Sequence, residues 1–87
     1  MYHVYILACE YKGKTTYYTG FTGNLRRRMR EHGTKRGARY TRNKKCALVY
    51  AERYHKRKNA LRREREIKTY SHNEKKQLIL AGSDINV

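Results

Sequence analysis

The sequence predicts a small α+β sandwich, a three-stranded antiparallel sheet flanked by helices in the order β-β-α-β-α-α. Three observations predict it. Residues 2–9, 15–22 and 46–54 are dense in the aromatic and β-branched types that suit a pleated, half-buried surface. The first two stretches are joined only by Glu10-Tyr11-Lys12-Gly13-Lys14, a turn pivoting on Gly13, which is the pattern of an antiparallel hairpin. Two helical stretches begin on capping signatures, and helices on the faces of a sheet complete the sandwich. A chain of 87 residues supports one small core, so residues 1–82 are expected to form a single domain and 83–87 a frayed tail.

Tyr2 to Cys9 carries Tyr, Val and Ile and makes the first strand. Tyr17, Tyr18, Thr19, Phe21 and Thr22 make the second, interrupted at Gly20 and released at Gly23, where backbone freedom is greatest. Asn24 then caps a helix, because its side chain can accept from a free N–H of the first turn. At about 100° per residue, Leu25, Arg28, Met29 and His32 share one face of that helix, while Arg26, Arg27 and Arg30 point elsewhere. The helix stops near Gly33. Residues 33–45 are polar, basic and glycine-containing, and read as a surface loop. Cys46 to Tyr54 is the third strand, with Ala47-Leu48-Val49-Tyr50 continuously apolar. Lys58 to about Tyr70 is the second helix. Ser71 and Glu74 then form a capping box for a third, which carries Leu78, Ile79 and Leu80 and ends at Gly82.

The charge is lopsided, 22 Lys and Arg against 7 Asp and Glu, a formal +15. Such a charge repels itself and implies an acidic partner. Nucleic acid leads, since neutralising phosphates releases counterions. A membrane partner is not expected: no apolar run approaches the ~18–20 residues of a span, Val4 to Cys9 is too short for a signal peptide's core and lacks a basic leader, and the second helix is too polar to lie on a bilayer. Cys9 and Cys46 stand far apart with no C-x-x-C, so a disulfide framework is not expected and the setting reads as reducing and cytoplasmic. The four histidines show no zinc-ligand spacing.

Chemistry concentrates at a few positions. With Ala60 as zero on the helical wheel, Ile67, Glu64 and Leu61 lie at roughly −20°, +40° and +100°. Glu64 therefore sits inside the apolar stripe, and Glu66 on the solvated side. A carboxylate there loses several kcal/mol of hydration unless something offsets it. Either an arginine or lysine from another element pairs with it, or it ligates a divalent cation, since Mg²⁺ often uses only one or two carboxylates with water and substrate phosphate. Arg28 has a similar double reading, as partner of Glu64 or as a phosphate-stabilising cation. His32 is either a satisfied histidine near a helix C-terminus or a proton carrier. Nine tyrosines stand against one phenylalanine. Most pack strands with the hydroxyl at the rim, but Tyr5 and Tyr18 can share one face of the hairpin, close together. A cation, a proton carrier, phenols and an inward carboxylate are the parts phosphodiester hydrolysis needs.

His3-Val4-Tyr5, a spacer, then Tyr18-Thr19-Gly20 resembles the two-part signature of the GIY-YIG nucleases. Arg28 and His32 on the first helix agree with it, as do Ala60-Leu61-Arg62-Arg63-Glu64 and Ile67-Lys68 on the second. Gly37-Ala38-Arg39-Tyr40-Thr41 looks like the corresponding loop of the small stand-alone members. The departures are His3-Val4 in place of Gly-Ile, Thr19 in place of the middle Ile, and a slightly long spacer; they fall on packing positions more than on polar groups. The resemblance implies a metal-dependent endonuclease acting on DNA more than RNA, on branched or damaged structures, with Mg²⁺ or Mn²⁺ on Glu64. It implies that Tyr5 activates water or passes its proton on, that Tyr18 and His32 position or relay the proton, and that Arg28 stabilises the developing charge. A free phenol titrates near 10, a difficulty for Tyr5 as base. In the 35–45 loop, Lys35, Arg36, Arg39, Arg42, Lys44 and Lys45 would contact phosphates, and Tyr40 would stack on an exposed base. No appended specificity domain is read, so either weak specificity or dependence on a targeting partner is expected, and the chain is expected to be a monomer. The rival reading is a non-catalytic DNA- or RNA-binding module that keeps the fold.

Overall fold

The computed structural model describes residues 1–32 and 45–82. Its elements are β1 (Tyr2–Tyr11), β2 (Lys14–Thr22), α1 (Leu25–His32), β3 (Lys45–Tyr54), α2 (Arg57–Lys68) and α3 (His72–Leu80). This is the expected α+β order. The strands run one or two residues longer at the hairpin end than the apolar pattern alone indicates, because the ladder continues through Glu10 and Tyr11, opposite Thr15 and Lys14. The tail 83–87 and the loop positions 33–44 lie outside the described residues.

The sheet order is β2-β1-β3, with β1 antiparallel to both neighbours. A central strand must bury both faces, and residues 3–7 of β1 are all buried in succession. Val4 and Ile6 point to one side, into a core with Tyr50, Ala60 and Ile67, against which Leu78 and Ile79 of α3 also pack. Tyr5, Leu7 and Cys9 point to the other, where Leu25 and Met29 of α1 cover them. Two thin cores thus share one strand. A residue added to β3 between the partners of Ile6 and Leu7 bulges that strand, so Ile6 faces Tyr50 while Leu7 faces Leu48.

The caps hold as expected. The Asn24 side chain accepts from the Arg27 N–H at 3.0 Å. Ser71 Oγ accepts from the Glu74 N–H at 3.1 Å, and Glu74 Oε1 from the Ser71 N–H at 2.8 Å, closing the capping box. On the α2 side of the sheet, Glu52 accepts from Arg63 Nε at 2.9 Å and Nη2 at 3.0 Å, from the Tyr54 hydroxyl at 2.5 Å and from Tyr50. Arg63 also reaches Glu66 and Tyr70. A carboxylate facing a core requires such partners. An inter-element arginine–carboxylate pair thus forms at Glu52, with Arg63 of α2.

The cysteine expectation is corrected. Cys9 and Cys46 are direct cross-strand partners on β1 and β3, their Cα atoms 4.0 Å apart, and they are joined as a disulfide. Their separation of 37 residues in sequence hides a pairing that sheet register alone creates.

Candidate active site

Tyr5 is the centre of the site. It lies on the central strand, on the α1 face, and is 1% exposed. Its cross-strand partner on β2 is Gly20. The phenol ring leans over the Gly20 backbone, and a Cβ built at that position would overlap the ring and its hydroxyl. Glycine in a strand interior often marks such a close approach. β2 is an edge strand, so leaning across it carries the hydroxyl toward the margin of the sheet.

Side chains of α1 and β2 stand near this phenol, and one of α2 acts on it by charge. Arg28 of α1, its side chain 27% exposed, donates to the Tyr5 hydroxyl and, through Nη1, to Glu31 Oε1 at 3.0 Å. Tyr18 of β2 stands opposite Leu7, diagonal to Tyr5 on the same face, and packs on the same cluster. Glu64 of α2 acts on the phenol through its charge. α2 packs on the opposite face of the sheet, against β1 and β2, along a seam of Ala60 and Ile67. Glu64 lies on the flank of that seam, its side chain 16% exposed, and the contact recorded for its carboxylate is Lys68 Nζ at 3.4 Å. Arg28 is therefore not tied to Glu64, as one sequence reading had it; Glu31 and Tyr5 engage it instead.

Burial is the main influence on Tyr5 and raises its pKa. Arg28 opposes this by hydrogen bond and by charge, while Tyr18 and Glu64 add to the rise, and the net result lies above the ordinary phenol value. Tyr5 is accordingly a neutral hydroxyl at pH 7, a donor. The same contact raises Arg28, which stays charged.

The remaining expected residues fall as follows. His32 closes α1, one turn beyond Arg28. Lys35, Arg36, Arg39, Tyr40, Arg42 and Lys44 lie outside the described residues. Lys45 is the exposed first residue of β3 and pairs with Glu10, five residues from Tyr5 along β1, or about 17 Å. Glu31 was missed by sequence reasoning. Its signal was its i,i+3 spacing from Arg28.

A single partly exposed carboxylate, that of Glu64, suits Mg²⁺ or Mn²⁺, which take few protein ligands and complete their shell with water and phosphate. Among the described residues no group of three or more His, Cys, Asp or Glu is placed to make an all-protein cage. Among them, too, no helix is long and apolar enough to cross a membrane.

A buried phenol leaning over the YIG-like glycine, with an arginine engaging it, agrees with the resemblance to the GIY-YIG nucleases, and the chain belongs to that family: the GIY-YIG catalytic domain matches residues 1–77. Within it, the chain is similar to UPF0213 proteins. That of Haloquadratum walsbyi is 43% identical over 86 residues, covering 98% of this chain and 93% of its own. That of Staphylococcus haemolyticus is 38% identical over 79 residues, covering 90% and 93%. The solution NMR structure of the UPF0213 protein of Bacillus halodurans superposes with a TM-score of 0.58 at 36% identity, over 92% of this chain and 83% of that one. The fold is theirs. The family is one of nucleases, its substrate class is nucleic acid, and its members generally depend on a divalent metal.

Proposed function

We propose that this chain is a metal-dependent endonuclease that hydrolyses phosphodiester bonds in DNA, with branched or damaged structures as its targets. The observation that supports the reading is the buried Tyr5 phenol, leaning over Gly20 and engaged by Arg28 of α1. Glu64 would hold Mg²⁺ or Mn²⁺, which supplies positive charge to the phosphate oxygens. Hydrolysis then needs a water oxygen to bond to phosphorus as the bond to the leaving oxygen breaks, with one proton lost by the water and one gained by the leaving group. Arg28, held by Glu31 and Tyr5, faces the negative charge that grows on the phosphate. Tyr5 keeps its proton, so it serves as a donor or relay and not as the resting base. Of the five residues, only His32 is of a type that titrates near neutrality, and it is the candidate to take the water's proton. Tyr18 orients the exchange. Lys35, Arg36, Arg39, Arg42, Lys44 and Lys45 would contact phosphates, and Tyr40 would stack on an exposed base. A cytoplasmic monomer that relies on a protein partner for targeting completes the reading.

The Glu64–Lys68 ion pair favours a second reading, a binding module in which Glu64 is structural. One experiment separates them: branched and linear DNA incubated with and without Mg²⁺ or Mn²⁺, beside Glu64→Ala. Loss of metal-dependent cleavage with fold and DNA affinity kept supports the enzyme. Wild-type cleavage by the variant removes Glu64 from catalysis, and unfolding of the variant supports the structural role.

A further inference from the structure

α2 carries a feature that the Tyr5 site does not use. A shallow depression of about 390 Å³ on its outer side is lined by Arg57, Lys58, Leu61, Arg62 and Arg65, four cations and one apolar side chain with no acid among them. On the helical wheel these positions begin beside Glu64 and turn away from the sheet. With Ala60 as zero, Glu64 lies at about +40°, Leu61 at about +100°, Arg65 at about +140°, Lys58 at about +160° and Arg62 at about +200°. Lys58 and Arg62 are four apart and Arg62 and Arg65 three apart, so like charges repel along the free helix. Glu66, one turn on from Arg62, is engaged by Arg63. The N-terminal end of the strip is anchored, since the Arg57 guanidinium stands 5.6 Å from the centre of the Phe21 ring, next to Gly20 in the chain. The strip therefore borders the strand over which Tyr5 leans.

We propose that this outward flank of α2 is the track for the phosphate backbone of a duplex DNA arm leaving the Glu64 site, an inference that rests on the nuclease reading above. Residues 57 to 65 span about 12 Å of helix, the axial rise of three to four nucleotides of one strand. The lining holds cations for phosphates but no aromatic face on which an unpaired base would stack, so it suits the backbone of a duplex and not a single strand.

The test uses Glu64→Gln without metal, so that binding is read apart from cleavage. In that background, Arg62→Ala with Arg65→Ala should flatten the slope of log affinity against log salt for duplex DNA by about 1.8. Lys12→Asn with Lys14→Ala, at the far hairpin turn, should leave it unchanged. An unchanged slope for the α2 variant, or equal flattening by both pairs, overturns the track while wild-type cleavage keeps the nuclease reading. A larger effect on a single strand than on a duplex of the same length overturns the duplex assignment. If the wild-type protein neither binds nor cleaves nucleic acid, both readings fall together.

Discussion

The Tyr5 ring lies over the backbone of Gly20, its direct partner across the β1–β2 ladder. The active-site phenol is aimed by the absence of a side chain on the neighbouring strand. Gly20→Ala should therefore push the ring aside, costing about 1–3 kcal/mol as overpacking does. In a Tyr5→Ala background the same change should cost far less. Thermal unfolding of the four proteins in this double-mutant cycle checks it, and equal costs in both backgrounds would deny the contact.

Glu31 holds the guanidinium that touches Tyr5. As a positioning residue, it should affect rate more than affinity. Glu31→Gln is expected to lower the single-turnover rate about tenfold, the equivalent of about 1.4 kcal/mol, with little change in DNA affinity, and Glu31→Asp to recover part of it. A loss of affinity without a loss of rate would assign Glu31 to another task.

Glu52 and Arg63 join β3 to α2, with side chains 15% and 23% exposed. Removing one partner of such a pair leaves the other charge buried, so Glu52→Gln should cost about 3 kcal/mol. The pH dependence follows from the same cluster. Burial opposes the Glu52 charge, but hydrogen bonds from Arg63, Tyr50 and Tyr54 outweigh it and hold the carboxyl below its usual value of 4.5. Its contribution is present above that value and lost as pH falls through the lower folded-state value, because the unfolded chain takes up the proton first. At the alkaline end, burial and then the Glu52 carboxylate push the Tyr54 hydroxyl from 10.0 up to about 12. That contribution is complete below pH 10 and lost between 10 and 12. Denaturant midpoints measured across both ranges should fall less steeply in Glu52→Gln.

The Cys9–Cys46 bridge closes a separation of 37 residues that contains β2, α1 and the basic segment after it. Loop-closure entropy for that length corresponds to about 4 kcal/mol at most. Dithiothreitol should lower the denaturant midpoint of the wild type and leave that of Cys46→Ser unchanged. An unchanged wild-type midpoint would mean the cysteines stand as thiols, which is the state the reducing, cytoplasmic reading requires.

Much of this protein was legible before folding. Apolar periodicity and turn chemistry act over a few residues, so the six elements, the Asn24 cap and the Ser71–Glu74 box were all present in local pattern. The pairing of Tyr5 with Tyr18 on one face followed from alternation along two strands joined by a short turn. The inward flank of Glu64 followed from 100° per residue. What local pattern does not contain is the order of strands and the register between distant ones. Only the placement of β3 against β1 set Cys9 opposite Cys46 and put Glu52 under Arg63. Only the packing of α1 on the sheet brought Arg28 to Tyr5. These pairings join residues far apart in the chain, and their energy depends on burial and distance, which exist only once the sheet has closed and both of its faces are covered.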